Sequence, residues 1–281
     1  MSLDFSPMSD EGGLLYLYGI VHEDQRPSTG YSAVVHGRLA ALVERVSASE
    51  FAPAVLERQL GSVEWVADLA RRHEARLELA MAAGPVIPAR LCTLFSGDDA
   101  VRRLLADDED DFLAVLERLT DAQEWGLKIY CDMAALRASL VGHLAANTAP
   151  PGAVPMSPGQ AFVLAKRREA QITEMIARRL EEVQGLLLDV IEPIVFETCV
   201  KRLLPAAATQ RPEKMIANLG VLVARDDLAG LVLAIDDVIK ALADEGFIIE
   251  RSGPWPPYSF TRLDESDESD ESDESDESEA S

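Results

Sequence analysis

The stretch MIANLGVLVARDDLAGLVLAIDDVIKALADEGFIIE, residues 215–250, decides the fold. It opens with an apolar run rich in β-formers, which predicts a strand over Met215–Arg225. Asp226 and Asp227 suit the first turn of a helix, where the positive end of the helix dipole favours acids. That helix is expected over Asp226–Glu245, with Gly246 as its C-cap, and Phe247–Glu250 follows as a strand. Moving outward, Ile194–Arg202 reads as another strand. Before it lies a helix with a clear start: Ser157 as N-cap, Pro158 at the first helical position and Gln160 completing a capping box. It runs to about Ile191, where Glu192-Pro193 ends it. Along it Phe162, Ala165, Ile172, Ile176, Leu180, Val183, Leu187 and Val190 keep a step of three or four. At 1.5 Å per residue it spans roughly 45–50 Å, more than the width of a small domain, so part of it is expected to project. Residues 144–159 form a Pro/Ala/Gly connection, and Trp125–Asp132 (WGLKIYCD) reads as the strand before it. From Trp125 onward the order is β-α-β-β-α-β, the ferredoxin-like order.

Upstream, Leu14–Val21 (LLYLYGIV) reads as a buried strand. Tyr31–His36 and Arg38–Val46 read as two more around a turn at Gly37. Gly61–Ala83 is the clearest helix of this half, with Val63, Val66, Ala70, Leu77 and Met81 on one face and Gly84-Pro85 as its stop. Val86–Leu94 is an apolar stretch interrupted by Pro88. Asp98–Leu105 and Asp110–Leu119 read as short helices, each beginning among aspartates. The predicted class is α+β in two domains. A flexible arm (1–13) precedes a mixed α+β domain (14–122). A ferredoxin-like domain with a long helix (123–263) and a disordered tail (264–281) follow.

The 281 residues carry a net charge of −23. The last 18, DESDESDESDESDESEAS, hold 11 of the carboxylates and no base, so −12 remains on the rest. This tail has no large apolar side chain to offset the entropy of ordering. It serves solubility and self-repulsion, or binds cations or basic segments, or carries phosphates on its serines. An acidic surface repels phosphate backbones and anionic lipid, so neither nucleic acid nor membrane is an expected partner. No apolar run approaches the roughly 20 residues needed to span a bilayer. With no signal-peptide pattern and three scattered cysteines (Cys92, Cys131 and Cys199), a reduced cytosolic protein is expected.

No nucleotide-binding loop, zinc-protease motif or nucleophile elbow is present. The histidines, His22, His36, His73 and His143, lack a second ligand at metal spacing. His73-Glu74 is a tempting pair, but neighbours on a helix point about 100° apart. His73 continues the apolar face between Ala70 and Leu77. It is a packed, hydrogen-bonded histidine or a binding or proton-transfer group. Arg90, in PVIPARLCTLF, needs a partner there: a buried salt bridge with an acid such as Glu74, or a contact with a bound partner. GPWPPYSF (253–260) is stiff, with aromatic residues held at fixed places. It is a recognition edge or a plug that closes the core. His73, Glu74, Arg90, Trp125, Trp255 and Tyr258 are therefore the candidate structural or partner-binding residues. No catalytic, cofactor or metal residue is assigned.

The pieces LLYLYGIV, LAALVERV, HEARL, GPVIPARLCTLF, EWGLKIYCD, the Lys166-Arg167-Arg168-Glu169 run, MIANLGVLVAR and GPWPPYSF follow one another across residues 14–262. In this order they resemble the gas vesicle protein F/L family. The resemblance implies two α+β domains, the second ferredoxin-like, with no cofactor and no enzyme activity. It implies an accessory protein that binds the small hydrophobic gas vesicle shell protein, alongside other accessory proteins, during nucleation and prevents its aggregation. Alternatively, the protein is a minor component fixed in the shell. The chain departs from the family pattern at Leu91-Cys92, where a Phe-Gly pair is usual. A Cys lacks glycine's easy access to positive φ, so a different local turn is expected.

Overall fold

A computed structural model of the chain describes residues 13–26, 30–147 and 157–261. The expected N-terminal arm, apart from Gly13, and the acidic tail lie outside these residues, as do residues 148–156 of the expected connection. Two antiparallel sheets organise the chain. The first contains β1 (Leu14–His22), β2 (Ser32–His36), β3 (Leu39–Val46) and the short β4 (Ile87–Pro88) and β5 (Leu94–Phe95). Its order is β2-β3-β1-β4, with β5 also paired to β1. Between β3 and β4 run α1 (Pro53–Leu60) and α2 (Val63–Ala83), and after β5 come α3 (Asp98–Asp107) and α4 (Glu109–Arg118).

The sequence of β1 is apolar without alternation because both faces of this sheet are covered. Leu15 and Leu17 face a core shared with Val101, Leu105, Phe112 and Leu116 of α3 and α4. Tyr16 and Tyr18 face Phe51 and residues Leu69, Leu77 and Ala80 of α2. A bulge between Leu17 and Gly19 shifts the register. It swaps the sides, so Ile20 joins the leucines and Val21 the tyrosines.

The second sheet is built from β6 (Ala122–Cys131), β7 (Val195–Val200), β8 (Lys214–Ala224) and β9 (Phe247–Trp255). Its order is β7-β8-β6-β9, every neighbour antiparallel. Between β6 and β7 run α5 (Met133–Asn147) and α6 (Pro158–Ile191), α7 (Ala206–Thr209) precedes β8, and α8 (Leu228–Ala241) links β8 to β9. Leu127, Ile129, Val221 and Val223 on one face pack with Leu136 of α5, with Val183, Leu187 and Ile191 of α6, and with Leu231 and Ile235 of α8. On the other face Leu222 joins the core of the first half, together with Phe260 from beyond β9.

The capping box of α6 forms as its sequence predicts, with Ser157 and Gln160 bonded reciprocally. Every residue from Ser157 to Gln171 is exposed, so the start of this helix stands clear of the core. Four expectations need correction. The buried face of α2 is Leu69, His73, Leu77 and Ala80, and Val63 is 84% exposed, because the aromatic floor of β1 selects the neighbouring stripe. The last helix stops at Ala241, well before Gly246, whose φ of 83° instead serves the turn into β9. Three helices, α1, α5 and the short α7, stand where none was expected. Finally, Cys92 keeps a φ of 63° although it is not glycine, so the left-handed turn survives the replacement at a local steric cost.

Candidate functional site

On the outer face of the first sheet, His73 is almost wholly buried. Its Nε2 donates to the Ala89 carbonyl at 3.1 Å, so Nδ1 accepts from the Tyr16 hydroxyl at 3.0 Å. That hydroxyl in turn accepts from the backbone N–H of Cys92 at 3.1 Å. One relay therefore ties β1, α2 and the loop over residues 89–92, and the same bond holds the strained Cys92 in place. Burial pushes the Tyr16 hydroxyl up to about 12 and pulls the His73 imidazole below its ordinary value. The histidine is thus a neutral structural link. Beside it a cleft of about 170 Å³ opens between Tyr16, Tyr18, Glu44, Phe51, Arg72 and His73.

Glu74 does not meet Arg90. Its carboxylate lies 3.5 Å from the Tyr258 hydroxyl, and burial raises the proton affinity of both groups. Arg90 is exposed, and among the described residues its guanidinium makes no ion pair. Its carbonyl, by contrast, is used twice, by the N–H and the hydroxyl of Thr93. The expected buried salt bridge is absent because the loop turns the side chain outward at the Cys92 turn.

The segment after β9 is a strap across the two halves. Pro256 and Pro257 are buried and Phe260 enters the core between the sheets. Arg118 of α4 donates to the Phe260 carbonyl at 2.5 Å and pairs with Glu197 of β7 at 2.8 Å. The anchor beneath the strap is Glu124, only 2% exposed. Its carboxylate accepts from Lys201 Nζ at 2.8 Å and from the Ser259 hydroxyl and N–H at 2.7 and 3.0 Å. Gly126 faces Gly220 across β6 and β8. A Cβ at Gly220 would meet the Lys201 side chain at 2.8 Å, and one at Gly126 the Ser252 hydroxyl at 2.8 Å, so a side chain at either position would displace a neighbouring polar group. Trp125 and Trp255 lie at the β6–β9 end. Trp125 is half-buried beside Gly253, while Trp255 is 45% exposed with its Nε1–H on Ser252 at 3.1 Å.

The structure thus brings His73, Glu74 and Tyr258 into one neighbourhood and leaves Trp125 and Trp255 in another. Sequence reasoning missed Tyr16, Arg118, Glu124 and Lys201, and left Phe260 in a segment that either recognises a partner or plugs the core. The one available signal is the pattern Glu124-x-Gly126-x-Lys128, which marks a polar strand face opposite Leu127 and Ile129. Among the described residues no cluster of three metal-binding side chains occurs, and no helix is long and apolar enough to cross a membrane.

The model of the family described as gas vesicle synthesis protein GvpL/GvpF matches residues 14–262. The chain belongs to this family. Gas vesicle protein L of Streptomyces sp. (strain CB03234) is 30% identical over 243 residues, covering 82% of each chain. Gas vesicle protein F of the same strain is 29% identical over 195 residues, covering 67% of this chain and 75% of that protein. The crystal structure of GvpF from Anabaena sp. PCC7120 superimposes with a TM-score of 0.65 at 19% identity, covering 90% of this chain and 99% of that one. GvpF from Microcystis aeruginosa gives a TM-score of 0.62 at 18% identity. These two structures share the mixed α+β fold with its antiparallel sheets. Membership of the GvpL/GvpF family gives the chain a gas vesicle-related role.

Proposed function

We propose that the protein is an assembly factor that binds the small hydrophobic gas vesicle shell protein during nucleation and keeps it from aggregating. One observation carries this reading. A chain of net charge −23 exposes large apolar side chains, among them Phe162 (69%), Phe196 (60%) and Val200 (76%). Exposed apolar groups on an otherwise acidic surface suit a binder of apolar chains that stays soluble through charge repulsion. The protein acts by binding, without catalysis, in the cytoplasm and in association with gas vesicles. Its working parts are an α+β domain over 14–122 and a ferredoxin-like domain over 123–263, joined by the strap. In that frame Trp255 and Arg90, both exposed, are partner contacts, while His73, Glu74, Trp125 and Tyr258 are supports. Co-expression with the shell protein followed by affinity capture tests the reading. A soluble complex is expected, and a shell protein that stays insoluble with nothing captured defeats the proposal.

A further inference from the structure

One edge of the second sheet is β9, and the other is β7, which pairs only with β8. Lys201, just past its end, donates its N–H to the Asn218 carbonyl at 2.8 Å. Hydrogen-bonded and non-bonded positions alternate in an antiparallel ladder. Thr198 and Val200, aligned with Val221 and Leu219, therefore turn their N–H and C=O groups away from β8. Their side chains are exposed too, and Phe196 and Leu203 (46%) extend the apolar strip.

Sheet edges are usually blunted by lysine, proline or a covering element. Among the described residues this one carries none of these over Val195–Val200, and its bulge lies at the start of the strand, between Val195 and Glu197. Its charges are also already neutralised within the chain: Glu197 by Arg118 and, just beyond, Lys201 by Glu124, each at 2.8 Å. An incoming strand finds an open ladder with apolar side chains at Phe196 and Val200, and with the exposed Arg202 next along the same face. A second copy of this chain would bring another net charge of −23 to the contact, which disfavours self-pairing.

We infer that β7 accepts an uncharged, apolar β-strand from another protein by strand addition, extending the four-stranded sheet. This deepens the shell-protein reading above and rests on it for the identity of the strand's owner. Main-chain bonds at Thr198 and Val200 supply the pairing, and Phe196 and Val200 supply the apolar contact.

The test uses the full-length chain and reads deuterium exchange at the Thr198 and Val200 amides. Two probes are used: the shell protein, and a synthetic alternating valine–threonine peptide. Either probe is expected to slow exchange at both amides roughly tenfold or more. Thr198→Pro removes an outward donor without touching the ladder to β8, and Val200→Lys places a charge on the strip. Both are expected to abolish this protection, read for Thr198→Pro at the Val200 amide alone because proline has no N–H, and to abolish the capture of shell protein while leaving the melting temperature near that of wild type. If Thr198→Pro unfolds β7, Val200→Lys carries the test alone. Capture by both variants as strong as wild type overturns the edge and leaves the assembly role standing. Protection by the peptide with no capture of shell protein by wild type keeps the edge and overturns that role. Protection by neither probe, or a concentration-dependent dimer that protects these amides, overturns the inference.

Discussion

The Tyr16 hydroxyl donates to His73 Nδ1 at 3.0 Å between the first sheet and α2, with the imidazole 1% exposed. Replacing Tyr16 with Phe keeps the ring and deletes the bond. A buried Nδ1 and the Cys92 N–H then lose their partner, at a cost of about 1–3 kcal/mol. Denaturant unfolding of Tyr16→Phe measures it. A loss well below that range would mean water replaces the hydroxyl.

The same histidine sets a pH dependence. Burial holds the folded imidazole below its ordinary value of 6.5. The unfolded chain therefore takes up a proton first as the pH falls through 6.5, and stability declines from there until the folded value is reached. Glu74, raised above 4.5 by burial, acts with the opposite sign nearer the carboxylate range. His73→Gln should therefore flatten the slope just below 6.5, read as melting temperature against pH. An unchanged slope contradicts the assignment of a neutral, buried histidine.

Cys92 holds a left-handed backbone that glycine adopts freely. Cys92→Gly is expected to raise stability by about 0.5–1 kcal/mol, and Cys92→Ala, which keeps the Cβ, should not. Thermal unfolding of the two variants side by side separates backbone relief from loss of the thiol.

Strap and anchor stand or fall together. Lys201→Ala leaves the buried Glu124 carboxylate with only its Ser259 bonds, a loss of about 3 kcal/mol. Phe260→Ala opens a cavity where the halves meet, costing about 3–5 kcal/mol. Deleting residues 264–281, by contrast, should leave the melting temperature unchanged, since that stretch has no large apolar side chain. Calorimetry of the three variants ranks them, and a large drop for the tail deletion would contradict the reading of that segment.

The long helix α6 is legible in its sequence because Ser157, Pro158 and Gln160 announce its start and Pro193 its end. The neighbouring α5 is not, because Ala134, Ala135 and Ala138 fill the positions between Met133, Leu136, Leu140 and Val141, so no polar face sets off that stripe. Its one local signal is Asp132, whose carboxylate caps the N–H groups of Ala134 and Ala135 at 2.9 and 3.0 Å. In GPWPPYSF the sequence marks an aromatic cluster that either plugs or recognises. Only packing against α4 decides that Phe260 is the plug and Trp255 the exposed ring. Glu124 shows in the sequence only as part of a polar strand face, for a related reason: a carboxylate on a strand reads as solvent-facing unless Lys201 and Ser259, 77 and 135 positions away, are known to close over it.

The most direct measurement of the proposed role is light scattering as purified shell protein is diluted from denaturant, with and without a stoichiometric amount of this protein. Suppressed scattering, with both chains co-eluting in one soluble species, is the predicted result. Scattering that rises unchanged, with this protein eluting alone, would contradict it.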